Sequence, residues 1–363
     1  MATTLTTPLR FLSAAALAGL ALGAVGCDQA DLLDGDGEAP SFRGDPWDTG
    51  RLNTNYLGTD EEYPLNQIPL VDDPNADVRL HAIWATRCVD RSLGITYENE
   101  LFYTSDLDGD LGLSVVDGEL QGATFRKYGD PNVTCTVTGT DWERTVWGVI
   151  TNDAEGSHNH YLMLMKHRLD ENDFPTYLWG VYTGLGSPFV PDSYAPTCDE
   201  DLDPELEIGT LQYYSYLVED LVVDMQSGDF SEDDEQLFIA CRSGAVGKSI
   251  AWGYAPWQLG DDVHELATRA VRADYCGSGF SYTAEGTPIQ TQDVYEVNGF
   301  DAPGLLDEAA WDLETGAATC VTLPRNPDYQ QGFSGIDCGG GVILPQCDAQ
   351  ANQTAELRTK HAL

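Results

Sequence analysis

Positive charge is scarce in this chain: 18 lysines and arginines stand against 60 aspartates and glutamates, a net charge of −42 over 363 residues. Such a surface repels phosphate backbones and anionic headgroups, which argues against nucleic-acid binding and a polybasic membrane patch and favours cations instead. No CxxC pair occurs among the nine cysteines, so thioredoxin-like redox chemistry and zinc ribbons lack their local signature. No internal repeat recurs at a fixed period, which argues against a propeller or a solenoid. What the chain does have is 42% hydrophobic residues with 10% aromatics, enough to bury a sizeable core despite the acidity.

Arg10 is the only charged side chain before an apolar run, Phe11 to Val25, that ends in Gly26-Cys27. The run is short for a retained spanning helix of ~20 residues and reads as an export signal. Leu20 to Cys27 resembles a bacterial lipobox, in which the cysteine is acylated and becomes the new N-terminus, although Ala24 stands where such signals usually carry leucine. The competing reading is ordinary cleavage after Gly26, with Ala24 and Gly26 as the small residues that the peptidase accepts. The expectation is a lipid anchor on Cys27 in the bacterial envelope, at the outer membrane; the alternative is a soluble periplasmic or secreted protein.

Setting Cys27 aside leaves Cys88, Cys135, Cys198, Cys241, Cys276, Cys320, Cys338 and Cys347, an even number suited to four disulfides in an oxidising compartment. The expected pairs are Cys88 with Cys135, Cys198 with Cys241, Cys276 with Cys320, and Cys338 with Cys347. The last rests on Gly339-Gly340-Gly341, which lets a short loop fold back.

From Val78 onward, apolar or alternating runs of strand length recur between Gly, Asp and Asn: Leu80 to Trp84, Leu111 to Val116, Val146 to Ile150, Tyr161 to Met165, Tyr177 to Tyr182 and Leu211 to Leu217. One helix is clear. Asp262 stands at its N-cap with Glu265 three residues on, Val263, Leu266, Ala267, Ala270 and Val271 follow helical spacing, and Arg269 and Arg272 lie near its end. The expected fold is mainly β with a few helices, a β-rich α+β arrangement: a disulfide-stapled sandwich or barrel-like core with at least one helix leading into Cys276.

Arg272-Ala273-Asp274-Tyr275-Cys276 resembles the signature of the ADYC-domain family of exported bacterial proteins. Phe238-Ile239-Ala240-Cys241, Gly244 to Lys248 and Gly253-Tyr254-Ala255-Pro256-Trp257 are similar to its upstream landmarks. Glu285 to Ile289, Glu308 to Trp311 and Gly316 to Cys320 are similar to its downstream ones. The resemblance brings no established activity or catalytic residue with it. It does imply cysteines at two places where this chain has Ser249 and Ala267; their joint replacement implies one lost bridge between a strand near Ser249 and the helix. The chain accordingly divides into a signal peptide (1–26), an acidic flexible tether (27–76), a β-rich part (77–235), the ADYC module (236–325), a disulfide-closed tail (326–348) and a disordered C-terminus (349–363).

Candidate chemistry is thin. Gly247-Lys248-Ser249 resembles the end of a P-loop, but Arg242 stands where the first glycine is required. Cys276 and His264 are twelve residues apart, ~18 Å by helical rise, too far for a nucleophile and its base, so Cys276 reads as a disulfide partner. Asp106, Asp108 and Asp110 alternate as in calcium loops, yet Leu111 replaces the glycine and Asp117 the glutamate that such loops need. A solvated acidic turn is preferred there over calcium. His158 and His160, followed by Met163, Met165 and His167, carry copper-type ligands. On a strand, however, the two groups face opposite sides, so a Met-filled core beside an exposed His turn is preferred. No cofactor is expected. Two function classes remain: a non-enzymatic binding or structural module that meets an extracellular or envelope partner, and an exported hydrolase whose carboxylates spacing alone does not identify. A concave pocket holding close carboxylates, at least one strongly perturbed, favours the second.

Overall fold

Alternating apolar and polar residues, rich in β-branched and aromatic side chains, lay about half of the described residues into antiparallel strands. The computed structural model describes residues 66–70, 77–105, 113–153, 156–170, 176–185, 194–198, 213–284, 286–300, 304–348 and 351–362. The strands of the first half are β1 (Gln67–Pro69), β2 (Val78–Asp90), β3 (Ile95–Ser105), β4 (Val115–Val116), β5 (Glu119–Leu120), β6 (Ala123–Lys127) and β7 (Asp130–Val137). They continue with β8 (Val146–Asp153), β9 (Gly156–Asp170), β10 (Thr176–Leu185), β11 (Tyr194–Pro196), β12 (Tyr214–Val223) and β13 (Phe230–Cys241). Eleven of them form one sheet in the order β1-β13-β12-β10-β9-β8-β2-β3-β6-β7, with β11 also on β10, while β4 and β5 make a separate hairpin. Pairing of Val89 with Thr136 joins β2 to β7 and closes β2, β3, β6 and β7 into a ring. The Cys88–Cys135 disulfide, with its Cα atoms 5.8 Å apart, sits one residue from that closure and pins it.

Three helices follow, α1 (Ala245–Ala251), α2 (Pro256–Leu259) and α3 (Asp261–Arg272). A second sheet, in the order β14-β19-β15-β16, is built from β14 (Ile289–Asp293), β15 (Leu306–Asp312), β16 (Ala317–Val321) and β19 (Leu357–His361). The short hairpin β17 (Ile336–Asp337) and β18 (Ile343–Leu344) and the helix α4 (Ala351–Thr354) lie between β16 and β19 in the chain. The fold is mainly β with a few helices and four disulfides.

Two buried cores share one ribbon. Leu217 of β12 with Leu237 and Ile239 of β13 join Ile83, Phe102, Trp147 and Trp179 in the first core. Tyr216 and Val218 of β12 with Phe238 and Ala240 of β13 join Val246, Leu266, Tyr275 and Trp311 in the second. Side chains alternate across a strand, so the continuous apolar runs of β12 and β13 feed opposite faces at once.

Several expectations are corrected. Cys276 pairs with Cys338 (Cα atoms 5.4 Å apart) and Cys320 with Cys347 (4.9 Å), while Cys198 pairs with Cys241 as expected. The glycine run does fold back, but as the tip of the β17–β18 hairpin, with Cys338 N bonded to Val342 O. The chain then passes along β16, where Val321 N bonds to Pro345 O and delivers Cys347 to Cys320. Residues 351–362 are ordered rather than disordered: β19 lies between β14 and β15, burying Leu357, Thr359 and His361 and leaving Arg358 and Lys360 partly exposed. Within the expected tether, Gln67–Pro69 are not free: they pair as β1 with β13, and Ile68 is fully buried. The boundary at 235/236 falls inside β13. Helix α3 begins two residues earlier than expected, at Asp261 after Gly260 at φ 87°, and Asp262 does not cap it. Ser249 lies on α1, not on a strand. No helix among the described residues is long and apolar enough to cross a membrane.

Candidate functional site

A cleft of about 770 Å³ opens where the β4–β5 hairpin, the β12–β13 ribbon and the starts of α2 and α3 meet. Asp117, Glu219, Asp220, Glu232, Asp233 and Asp261 line it, with Trp257 as an aromatic wall. Among the described residues its lining holds no basic residue, histidine, serine or cysteine.

Local sequence explains how these carboxylates gather. Asp117-Gly118 is the turn of the hairpin, with φ of 52° and 77°; such two-residue turns need positive φ at both positions, which Asp and Gly tolerate. The tip packs closely, since a Cβ on Gly118 would stand 3.3 Å from the Trp257 ring. Trp179 Nε1 donates to the Gly118 carbonyl from below (3.1 Å). On β12 the register slips between Glu219 and Leu221, and Asp220 adopts φ 63°. This irregularity lets two successive carboxylates reach one cleft, where a regular strand would send them to opposite faces. Asp261 opens α3, where the helix dipole favours negative charge.

Electrostatics within the cleft is self-opposing. Burial pushes the Glu219 carboxyl up, and the Asp220 charge adds to it, against the Val115 N–H and Ser114 hydroxyl that favour the anion. Asp261 is likewise raised, by burial first and then by Glu232, Asp262 and Asp220. Like charges on a partly desolvated wall disfavour one another until a cation arrives.

The ADYC tetrapeptide lies elsewhere and is built as a structural knot. Ala273 ends α3 in the left-handed conformation (φ 53°), a helix stop that glycine usually supplies. The buried Asp274 carboxylate accepts the N–H groups of Ser278 (3.0 Å) and Gly279 (2.7 Å), shaping the following loop. Tyr275 is fully buried, and its hydroxyl donates to Glu308 (2.9 Å) while accepting the Arg325 N–H (3.0 Å). Burial, and then the Glu308 charge, hold that hydroxyl protonated far above the usual tyrosine range. Arg325 completes the knot: it binds both Glu308 oxygens (2.8 and 3.0 Å) and the carbonyls of Ala270 (2.9 Å) and Val271 (2.6 Å) at the end of α3. Cys276 carries the disulfide to Cys338. Every residue of the tetrapeptide thus has a packing or bonding partner, and none faces the cleft.

The other sequence candidates are dispersed. Cys27, Asp106, Asp108 and Asp110 lie outside the described residues. His158 and His160 stand two apart on β9, His158 exposed and His160 bonded through Nε2 to Thr151 (2.9 Å). Burial, and then His158, lower the His160 pKa. Lys166 pairs with Gly180 and Leu164 with Val181, which leaves Met165 as a bulge that breaks the strict alternation expected of the strand. Among the described residues, no three His, Cys, Asp or Glu side chains converge as a metal site. The Gly247-Lys248-Ser249 segment is helical and buried, and Gly247 is required by close approach: a Cβ there would stand 2.2 Å from the Cys241 carbonyl oxygen. The cleft itself was missed by sequence reasoning. Its signal was the pair Glu219-Asp220 interrupting an otherwise apolar strand, Tyr216-Leu217-Val218 before it and Leu221-Val222-Val223 after it.

No curated protein and no solved structure matches the chain. A family model does, over residues 147–327, and it begins at Trp147 in β8, well upstream of the 236–325 expected from the landmarks. That extent includes the β12–β13 ribbon and helices α1 to α3 with the Tyr275–Glu308–Arg325 knot, and by it the chain carries an ADYC domain.

Proposed function

We propose that the chain is a non-enzymatic recognition module, exported and held at the cell envelope by lipid on Cys27, whose acidic cleft takes a cationic group of an envelope or extracellular partner. The observation that carries this reading is the lining of the cleft: carboxylates from the hairpin, the ribbon and α3, an aromatic wall at Trp257, and, among the described residues, neither a hydroxyl or thiol nucleophile nor an imidazole beside them. A cation beside an indole face and several carboxylates gains from both. Titration calorimetry with spermidine tests it. Binding should weaken with salt and fall at least tenfold in the double variant Glu232→Gln, Asp261→Asn; absence of heat at low salt refutes the cationic ligand. Intact-mass analysis of the N-terminal peptide tests the anchor, and an unmodified Cys27 at the mature terminus refutes it.

A hydrolase reading draws on one observation, the raised carboxyls of Glu219 and Asp261 in the same cleft, since a carboxylic acid that keeps its proton can serve as a general acid. Turnover of a glycoside or ester panel that is lost in Glu219→Gln or Asp261→Asn would favour it over simple binding.

A further inference from the structure

The β4–β5 hairpin forms one wall of the cleft, and its backbone is fastened at separate points. Trp179 Nε1 donates to the Gly118 carbonyl (3.1 Å) and Trp142 Nε1 to the Gln121 carbonyl (3.2 Å) just past the hairpin. Glu219 Oε1 accepts the Val115 N–H (3.2 Å). The indoles carry no charge at any ordinary pH. Glu219 differs from them in two respects, because it titrates and because it also lines the cleft.

We infer that the Glu219 carboxylate is a latch, holding the hairpin wall to β12 while it is ionised and loosening the Val115 amide when it takes a proton. The inference rests on the cation reading of the cleft and adds its regulation. The groups around Glu219 come from every element that builds the cleft. The hairpin supplies the Val115 N–H and the Ser114 hydroxyl, which favour the anion, and the Asp117 carboxylate, while β12 supplies Asp220. Glu232 and Asp233 come from β13 and Asp261 from α3; α2 contributes the neutral Pro256 and Trp257. With negative charge on all charged sides and partial burial, Glu219 regains its proton above the ordinary 4.5.

A cation in the cleft reverses the balance. It keeps Glu219 ionised, and a carboxylate has lone pairs enough to meet the cation and the Val115 amide together. A charge-assisted hydrogen bond is roughly twice as strong as a neutral one. Occupancy therefore tightens the wall, and by reciprocity acidification both loosens the wall and expels the cation.

Hydrogen exchange of the full chain, read at the Val115 amide and corrected for the intrinsic rate at each pH, tests this. Protection should fall about tenfold between pH 7 and pH 4, the difference between a charged and a neutral acceptor. Glu219→Gln, which accepts without titrating, should show a flat profile. Asp220→Asn, which removes one neighbouring charge, should move the midpoint to lower pH, as should spermidine with the wild type. A flat wild-type profile, or a Glu219→Gln profile that follows the wild type, overturns the latch; spermidine heat under those conditions leaves the cation reading standing. A titrating Val115 amide with no spermidine binding supports the latch and removes the cation reading instead.

Discussion

Replacing Glu308 by glutamine removes one charge from a site where neither partner reaches solvent: the side chains of Arg325 and Glu308 are both 0% exposed. The guanidinium is then left buried without a counter-ion, a change that typically costs about 3 to 5 kcal/mol, or roughly 5 to 10 °C in melting temperature for a cooperative unit of this size. Arg325→Met has a comparable cost for a second reason, since it also abandons the Ala270 and Val271 carbonyls and the Thr283 hydroxyl (3.1 Å). The double variant Glu308→Gln, Arg325→Met should recover much of the loss, because a buried pair replaced as a pair is often near neutral. Urea unfolding of the oxidised chain gives all four corners of the cycle, and the expected coupling is above about 2 kcal/mol. Singles costing under about 1 kcal/mol, or a double whose cost is the sum of the singles, would falsify the view that this pair is the centre of the ADYC knot.

Three further outcomes are expected. Mapping of unreduced peptides should recover Cys276 linked to Cys338 and Cys320 to Cys347; a Cys276–Cys320 peptide contradicts the second sheet's arrangement. His264 is fully buried, and burial pushes its pKa from 6.5 down to about 4, against the Val246 carbonyl that its Nε2 meets. The folded state therefore favours the neutral ring, so its contribution is present above pH 6.5 and is lost as pH falls towards 4, by about 3 kcal/mol in total; His264→Leu should abolish that slope in unfolding measurements, and an unchanged slope assigns it to other groups. Ser249 Oγ lies 2.9 Å from Thr268 Oγ1, beside Ala267 on the facing helix. The double change Ser249→Cys, Ala267→Cys should oxidise in air in the purified protein and stabilise by up to ~3 kcal/mol, and a persistently alkylatable thiol pair contradicts the lost bridge.

The β-rich class was legible because runs such as Val146 to Ile150 and Tyr177 to Tyr182 are strand-length and β-prone whatever their neighbours. The place of β19 was not, since Leu357-Arg358-Thr359-Lys360-His361 buries three of its five residues only once β14 and β15 flank it. The pairing of Cys338 with Cys347 rests on a short, glycine-rich loop, which holds while chain entropy decides; the course of residue 345 along β16 decides instead. The ADYC signature was visible as a sequence, but its role was not, as Tyr275 finds Glu308 across 33 residues and Arg325 across 50. The cleft is more remote still, joining Asp117 to Glu219, Glu232 and Asp261 through tertiary topology alone.

The ribbon of β12 and β13 has a consequence for how the molecule comes apart. Because Leu217 answers to one core and Val218 to the other, neither core can melt without stripping a face from strands that the other requires. Heat should therefore produce one cooperative transition rather than two, with truncation of either side chain to alanine lowering the same melting point. A fragment cut at residue 236 keeps the signature tetrapeptide yet loses β12, and with it half the wall against which α1 and α3 pack. The cleft, set at the register slip of this shared wall, draws its rigidity from both sides of it.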